Sequence, residues 1–328
     1  MHRVTLSLSC PAYDRTRALF DGRVRVEGCD LHAVAMSPEE AFHRAFRHQE
    51  FDVSELSMST TMVHVANGTC PFVPIPVFPS RLFRHSSVYV RADRGMGRPE
   101  DLRGRLVGVP EYQMTAALWV RGILQDEYGV LPSDLRWRTG GLEEAGRAGL
   151  VPVAVPGVEI EPIAQDRTLS AMLADGDIDA LISARAPSCF GRSPGVARLF
   201  PDYRAAEEAY FSKTRIFPIM HLVGIRRSLV ERFPWLPVNL FHAFEQAKAL
   251  CYADLAKIGH LFTTLPWAVE ELDRTRRLMG DDFWPYGLER NAHVIATMTR
   301  YAFEQGLTSR QLSAEDLFPR SVLSLAKV

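Results

Sequence analysis

Residues 93–128, DRGMGRPEDLRGRLVGVPEYQMTAALWVRGILQDEY, decide the reading of the fold. The stretch opens on turn formers, Asp93-Arg94-Gly95 and then Pro99-Glu100-Asp101-Leu102-Arg103-Gly104, which suit a hinge followed by a tight turn. Arg105 to Val109 then reads as a strand, and Thr115 to Tyr128 as a helix. A strand–turn–helix directly after a hinge predicts the start of a second α/β lobe.

The same alternation extends in both directions. Towards the N-terminus, Val4 to Ser9, Leu31 to Met36, Phe51 to Leu56 and Ser87 to Val90 read as strands. Asp14 can cap a short helix that stops near Gly22. Ser37-Pro38-Glu39-Glu40 has a cap, an N-terminal proline and first-turn acids, and Phe42, Ala45 and Phe46 follow as an apolar stripe. Val73 to Val77, broken by prolines, suits a strand end or a sheet edge. Towards the C-terminus, residues 149–162 carry prolines and glycines and read as a surface insertion. Thr168 to Ala174 is a helix, Ile178 to Ser183 a strand, and Met220 to Ile225 a strand returning to the first lobe. Beyond Arg226 the periodicity is helical, in Val238 to Leu255, Trp267 to Leu278 and Asn291 to Glu304. The pattern predicts an α/β protein of two lobes, residues 1–90 plus 216–328 and residues 91–215, with an open sheet in each and a helical C-terminal tail. In open sheets of this kind ligands gather at the carboxyl ends of the strands.

The 328 residues carry a formal charge of −1, so no global field draws the chain to nucleic acid or to a membrane surface. No apolar run is long enough to span a bilayer, and none at the N-terminus has the form of a signal peptide. Five scattered cysteines without a CxxC pair suggest neither a disulfide framework nor a zinc site. A cytoplasmic setting is therefore expected. HExxH, GxSxG and Walker A patterns are absent, and His43 and His48 lack the spacing of a helical metal pair. No metal is expected.

Six segments carry chemistry. Glu111, Tyr112, Gln113, Met114 and Thr115 span a strand end and a helix start, where unpaired N–H groups favour an anion. By local pattern alone an ordinary turn with Thr115 as cap is the commoner outcome. Residues 79–87 hold Arg81, Arg84 and His85, a basic loop or an arginine fork for a carboxylate beside a proton-transfer group. Residues 52–59 end a strand with Glu55 and Ser57; the serine also suits a helix cap. Arg185 lies at a strand end, and His221 enters the return strand, where a packed structural histidine is the commoner outcome. Trp284 sits in an aromatic–acidic loop that suits a wall for a planar ligand or a plug for the helical tail.

In this order the segments EFDVSELS, FPSRLFRHSSVYV, GVPEYQMTAALWVRGIL, TGGLEE, GDIDALISAR, FPIMH and GDDFWPYGLERN resemble the 4,5-dihydroxyphthalate decarboxylase family, from about Leu6 to the end of the chain. That family is similar in fold to type II periplasmic-binding proteins, the substrate-binding proteins of ABC transporters. The resemblance implies that fold, a small aromatic carboxylate as substrate and no required cofactor. It implies decarboxylation of 4,5-dihydroxyphthalate to 3,4-dihydroxybenzoate in the cleft between the lobes. Arg81, Arg84, Arg185 and the helix start at Gln113–Thr115 are then candidates to anchor the carboxylate that stays, with Ser57, Tyr112 and Trp284 around the ring. His85 or His221 would protonate the ring carbon, and Glu111 or Glu55 would accept a hydroxyl proton. The alternative is a solute-binding protein that captures an anion without reaction, which needs arginines and aromatic walls but no acid–base pair. The tail helices offer a face for a homo-oligomer or a cap on the first lobe.

Overall fold

The computed structural model describes residues 3–147, 154–323 and 325. They form two compact units. The first comprises Met1–Arg81, Ile219–Ala296 and Leu312–Val328; the second comprises Leu82–Pro218 and Thr297–Gln311.

The first unit begins with β1 (Val4–Cys10), α1 (Arg17–Phe20), β2 (Cys29–Ala35), α2 (Pro38–His48), β3 (Val53–Ser57), α3 (Met58–Ala66) and β4 (Phe72–Arg81). In β1 the alternate residues Leu6, Leu8 and Cys10 are fully buried, as its period-2 pattern requires. Every residue of β3 is buried. Its Ser54 hydroxyl is satisfied by Ser9 at 2.9 Å, which allows a polar residue on a central strand. α1 is capped by position Thr16; Asp14 instead accepts the Arg15 backbone N–H at 2.7 Å, so the helix starts later than its nearest acid suggests.

The second unit holds β5 (Val88–Arg91), β6 (Leu106–Val109), α4 (Thr115–Tyr128), β7 (Arg136–Thr139), β8 (Glu159–Pro162), α5 (Leu169–Asp175), β9 (Ala180–Ile182), β10 (Val196–Arg198) and α6 (Tyr203–Thr214). The strands order as β10-β5-β9-β6-β7-β8. The core of this sheet is Leu169, Leu173, Ile178 and Leu181, packed with Tyr89, Cys189 and Val196. Part of the expected surface insertion, residues 149–153, lies outside the described residues; its end, Glu159–Pro162, is the edge strand β8. That strand is polar, held by Arg138 to Glu159 and Glu161 at 2.9 Å each, so it carries no apolar alternation to read. Thr115 is the first helical residue of α4, and Met114 occupies the cap position.

The chain re-enters the first unit with β11 (Ile219–Arg226), followed by α7 (Arg227–Arg232), α8 (Leu236–Leu255), α9 (Ala268–Met279) and α10 (Ala292–Glu304), whose residues from Thr297 onward belong to the second unit. β11 slots antiparallel between β3 and β4, giving the order β2-β1-β3-β11-β4. The proline-bearing β4 is thus an edge strand, where a missing N–H is tolerated. Gly224 admits this packing: a Cβ there would meet the Leu56 side chain and lie 3.0 Å from the Phe72 Cβ.

Residues 82–90 and 297–311 fall in the second unit for identifiable reasons. β5 is hydrogen-bonded between β9 and β10. The last turns of α10 are bound to α4: Arg300 and the Tyr301 hydroxyl hold Asp126 at 2.5 and 2.6 Å, and Arg121 donates to Gln305 at 2.7 Å. Gly122 makes room for the Tyr301 ring, which a Cβ would strike. Among the described residues no helix is long and apolar enough to cross a membrane.

Candidate active site

In the first sheet β1, β2 and β3 run parallel and β11 runs against β3. The carboxyl ends of β1 and β3 and the start of β11 therefore share one edge. Side chains alternate along strands, so Glu55 and Ser57 face the same side of β3. His221 pairs directly with Ser57, which places it diagonal to Glu55 on that face. The result is a hydrogen bond of 2.6 Å between His221 Nδ1 and Glu55 Oε1, across 166 residues of sequence. Oε1 also accepts from the Tyr13 hydroxyl at 3.1 Å. Glu55 is fully buried, and its Oε2 has no hydrogen-bond partner among the described residues. Burial, then the Glu55 charge, pushes the Tyr13 phenol up, so it remains a neutral donor. The His221 side chain keeps 17% exposure, and its ring packs edge-on against Phe42. Nδ1 is committed to Glu55, which leaves Nε2 for proton transfer.

Arg15 lies beside Tyr13, its guanidinium 4.1 Å from the ring centroids of both Tyr13 and Trp284. Trp284 is fixed in turn: its indole N–H donates to the Phe78 carbonyl at 2.8 Å, and its backbone N–H to the Tyr252 hydroxyl at 2.8 Å. Ser57 caps α3, accepting from the Thr60 hydroxyl at 3.2 Å and from its backbone N–H. Arg81 is buried and turned towards the tail, donating to the Pro285 carbonyl at 2.7 Å and to the Asn291 side chain. Burial lowers its pKa to about 9.

The second unit carries the remaining candidates. His85 is 3% exposed and packed against Phe200 and Tyr210, and burial lowers its pKa to about 4. At neutral pH it is therefore the neutral imidazole, a poor proton donor. Arg84 is buried, with a pKa lowered by burial to about 10. Glu111 accepts from the Gln113 amide at 2.9 Å, and Gln113 and Thr115 are buried at the start of α4. Met114 is half-buried there. The Tyr112 ring lies edge-on to Trp137 and beneath Arg121 at 3.7 Å. Arg185 is exposed after β9. Each unit thus gathers its own subset: Glu55, Ser57, Arg81, His221 and Trp284 in the first, and Arg84, His85, Glu111–Thr115 and Arg185 in the second. Sequence reasoning passes over Tyr13 and Arg15. Their signal is position, directly after the first strand, where the carboxyl-end rule points.

The environment of His85 makes a testable pH signature. Glu207 accepts the Ser86 backbone N–H, and burial raises its pKa to about 7. A histidine kept neutral in the fold takes up its proton in the unfolded chain first. His85 therefore costs stability as pH falls from about 6.5 towards 4, by up to about 3 kcal/mol. Glu207 works in the opposite sense, adding stability as pH falls from about 7 towards 4.5, and solvent screening weakens it. The expected result is that Glu207→Gln steepens acid destabilisation between pH 6.5 and 4.5, and that His85→Phe flattens it. Urea midpoints across that range check this; parallel curves for wild type and both variants would contradict it.

No family model matches the chain. It is 46% identical over 330 residues to the 4,5-dihydroxyphthalate decarboxylase of Comamonas testosteroni, covering 100% of both chains. The chain belongs to the 4,5-dihydroxyphthalate decarboxylase family. A second 4,5-dihydroxyphthalate decarboxylase, from Pseudomonas putida, is 45% identical over 64% of this chain and 83% of its own. Among solved structures, the periplasmic aliphatic sulphonate binding protein SsuA of Escherichia coli matches with a TM-score of 0.56 at 12% identity, covering 98% of this chain and 99% of its own. The alkanesulfonate-binding SsuA of Xanthomonas axonopodis pv. citri, bound to MOPS, gives 0.51 at 12% identity, covering 97% and 98%. This member of the decarboxylase family therefore has a periplasmic-binding-protein-like fold. The sulfonate binders share the fold, and at such identity nothing is carried over about their ligands.

Proposed function

We propose that this chain is a carboxy-lyase that converts 4,5-dihydroxyphthalate to 3,4-dihydroxybenzoate and CO2. The observation that carries the reading is the His221–Glu55 pair, buried at the carboxyl edge of the first sheet, in a chain 46% identical over its full length to a decarboxylase of that name.

The chemistry needs a proton at the ring carbon that bears the departing carboxylate. The hydroxyl para to that carbon pushes electron density onto it. Protonated His221 donates from Nε2 to this carbon. The carbon–carboxylate bond then breaks, its electron pair restores the aromatic ring, CO2 leaves, and solvent reprotonates the imidazole. Glu55 holds Nδ1–H, fixes the ring orientation and stabilises the imidazolium, while neutral Tyr13 keeps the carboxylate in place. Electron flow through the ring hydroxyl is why the reading invokes no cofactor. Among the described residues no cluster of three or more histidine, cysteine, aspartate or glutamate side chains is arranged to hold a metal ion. All five cysteines are free and buried, which supports a reducing, cytoplasmic setting.

The test is incubation of the purified protein with 4,5-dihydroxyphthalate, following loss of substrate and formation of 3,4-dihydroxybenzoate, with and without a chelator. Turnover that survives the chelator is the expected result. Tight binding without turnover would replace the enzyme with a solute-binding protein.

A further inference from the structure

Arg15 has the construction of an anion receptor. Its guanidinium carbon lies over two aromatic rings, 4.1 Å from the centroids of both Tyr13 and Trp284. Its Nε donates to the Pro79 carbonyl at 2.6 Å, and Nη1 to Asp14 at 3.1 Å. Nη2 has no hydrogen-bond partner among the described residues, and the side chain keeps 15% exposure. Asp14 is 55% exposed, so its pairing is screened by water and satisfies little of the positive charge. Arg81, by comparison, is buried, and its Nη2 donates to the Pro285 carbonyl and to Asn291. Its Nη2 remains for an anion, and a guanidinium holds a carboxylate best through parallel N–H donors. The two ring contacts and the Pro79 bond hold the side chain before any ligand arrives.

Its position completes the argument. The Tyr13 ring lies under Arg15, and the Tyr13 hydroxyl touches Glu55, which holds His221. One phenol thus links the cation, which lies over its ring, to the carboxylate that holds the proton donor. We propose that Arg15 binds the carboxylate that stays on the aromatic ring and so selects ring acids carrying it. This rests on the decarboxylase reading and adds to it the group that orients the substrate.

The test compares 3,4-dihydroxybenzoate, which keeps that carboxylate, with catechol, which lacks it. Binding of each is measured by calorimetry to wild type, Arg15→Met and Arg15→Lys, alongside turnover of 4,5-dihydroxyphthalate. Wild type is expected to prefer 3,4-dihydroxybenzoate by about 10- to 100-fold, the scale of a charge-assisted pair. Arg15→Met abolishes the preference, by lowering affinity for 3,4-dihydroxybenzoate far more than affinity for catechol. Arg15→Lys restores part of it, since an ammonium keeps the charge without the fork. A wild type without the preference, or binding neither compound, overturns the proposal. So does an Arg15→Met variant that retains the preference or loses affinity for both compounds equally. A carboxylate preference that depends on Arg15 in a protein that does not turn over 4,5-dihydroxyphthalate would uphold this proposal and refute the decarboxylase reading.

Discussion

Replacing His221 with asparagine is expected to lower kcat by about 10²- to 10⁴-fold, the usual contribution of a positioned proton donor. Asparagine can still donate a hydrogen bond towards Glu55, so the buried carboxylate keeps a partner and the fold is preserved. What is lost is a group able to carry a proton at the Nε2 position. KM should change little, because the imidazole acts on the reacting carbon and not on the anchoring carboxylate. Steady-state kinetics on 4,5-dihydroxyphthalate reads both quantities. A variant within tenfold of wild type would remove His221 from the chemistry. His85, neutral down to about pH 4, would not become the donor by default.

Arg81→Leu is expected to act mainly on stability. The wild-type guanidinium is 4% exposed and ties the end of β4 to the loop before α10 through Pro285 and Asn291. Leucine fills part of the volume but leaves those buried acceptors without this donor, at a cost of about 2–4 kcal/mol. The unfolding midpoint of the first unit should fall by roughly 5–10 °C. Asn291 still reaches the Pro285 and Gly287 carbonyls at 3.1 and 2.7 Å, so the loop is weakened and not abolished. The sequence-based assignment of Arg81 to the retained carboxylate makes a different forecast, a large rise in KM with an unchanged midpoint. Thermal unfolding and kinetics on the same preparation separate the two.

Local patterning carried the strand and helix assignments where one face is apolar, as in β1, α4 and β11. It failed where an element is polar or very short. β8 is an edge strand of charged residues, and β7 buries Trp137 among three polar neighbours, so neither shows a period that stands out from a loop. The site was legible as residue types at strand ends: Glu55, Ser57 and His221 all lie on the strand edge where ligands of open sheets gather. The arrangement among them was not legible. Nothing local distinguishes His85, packed between aromatic rings, from His221, which stands against a buried carboxylate.

The order of turn, strand and helix, and the long motifs that run with it, were sufficient on their own to establish the α/β class and the family. Only the tertiary structure decided which residues work together. The His221–Glu55 bond exists because β11 returns across 166 residues to lie antiparallel to β3, in a register that sets His221 opposite Ser57. A register shift of one residue would turn His221 to the opposite face of the sheet. Arg15 is likewise held by a distant partner, with the Trp284 ring, far along the chain, as close to its guanidinium as that of neighbouring Tyr13. Local propensity acts over a few residues, whereas strand pairing and ring stacking join distant ones. The chemistry of this site belongs to the second kind of interaction.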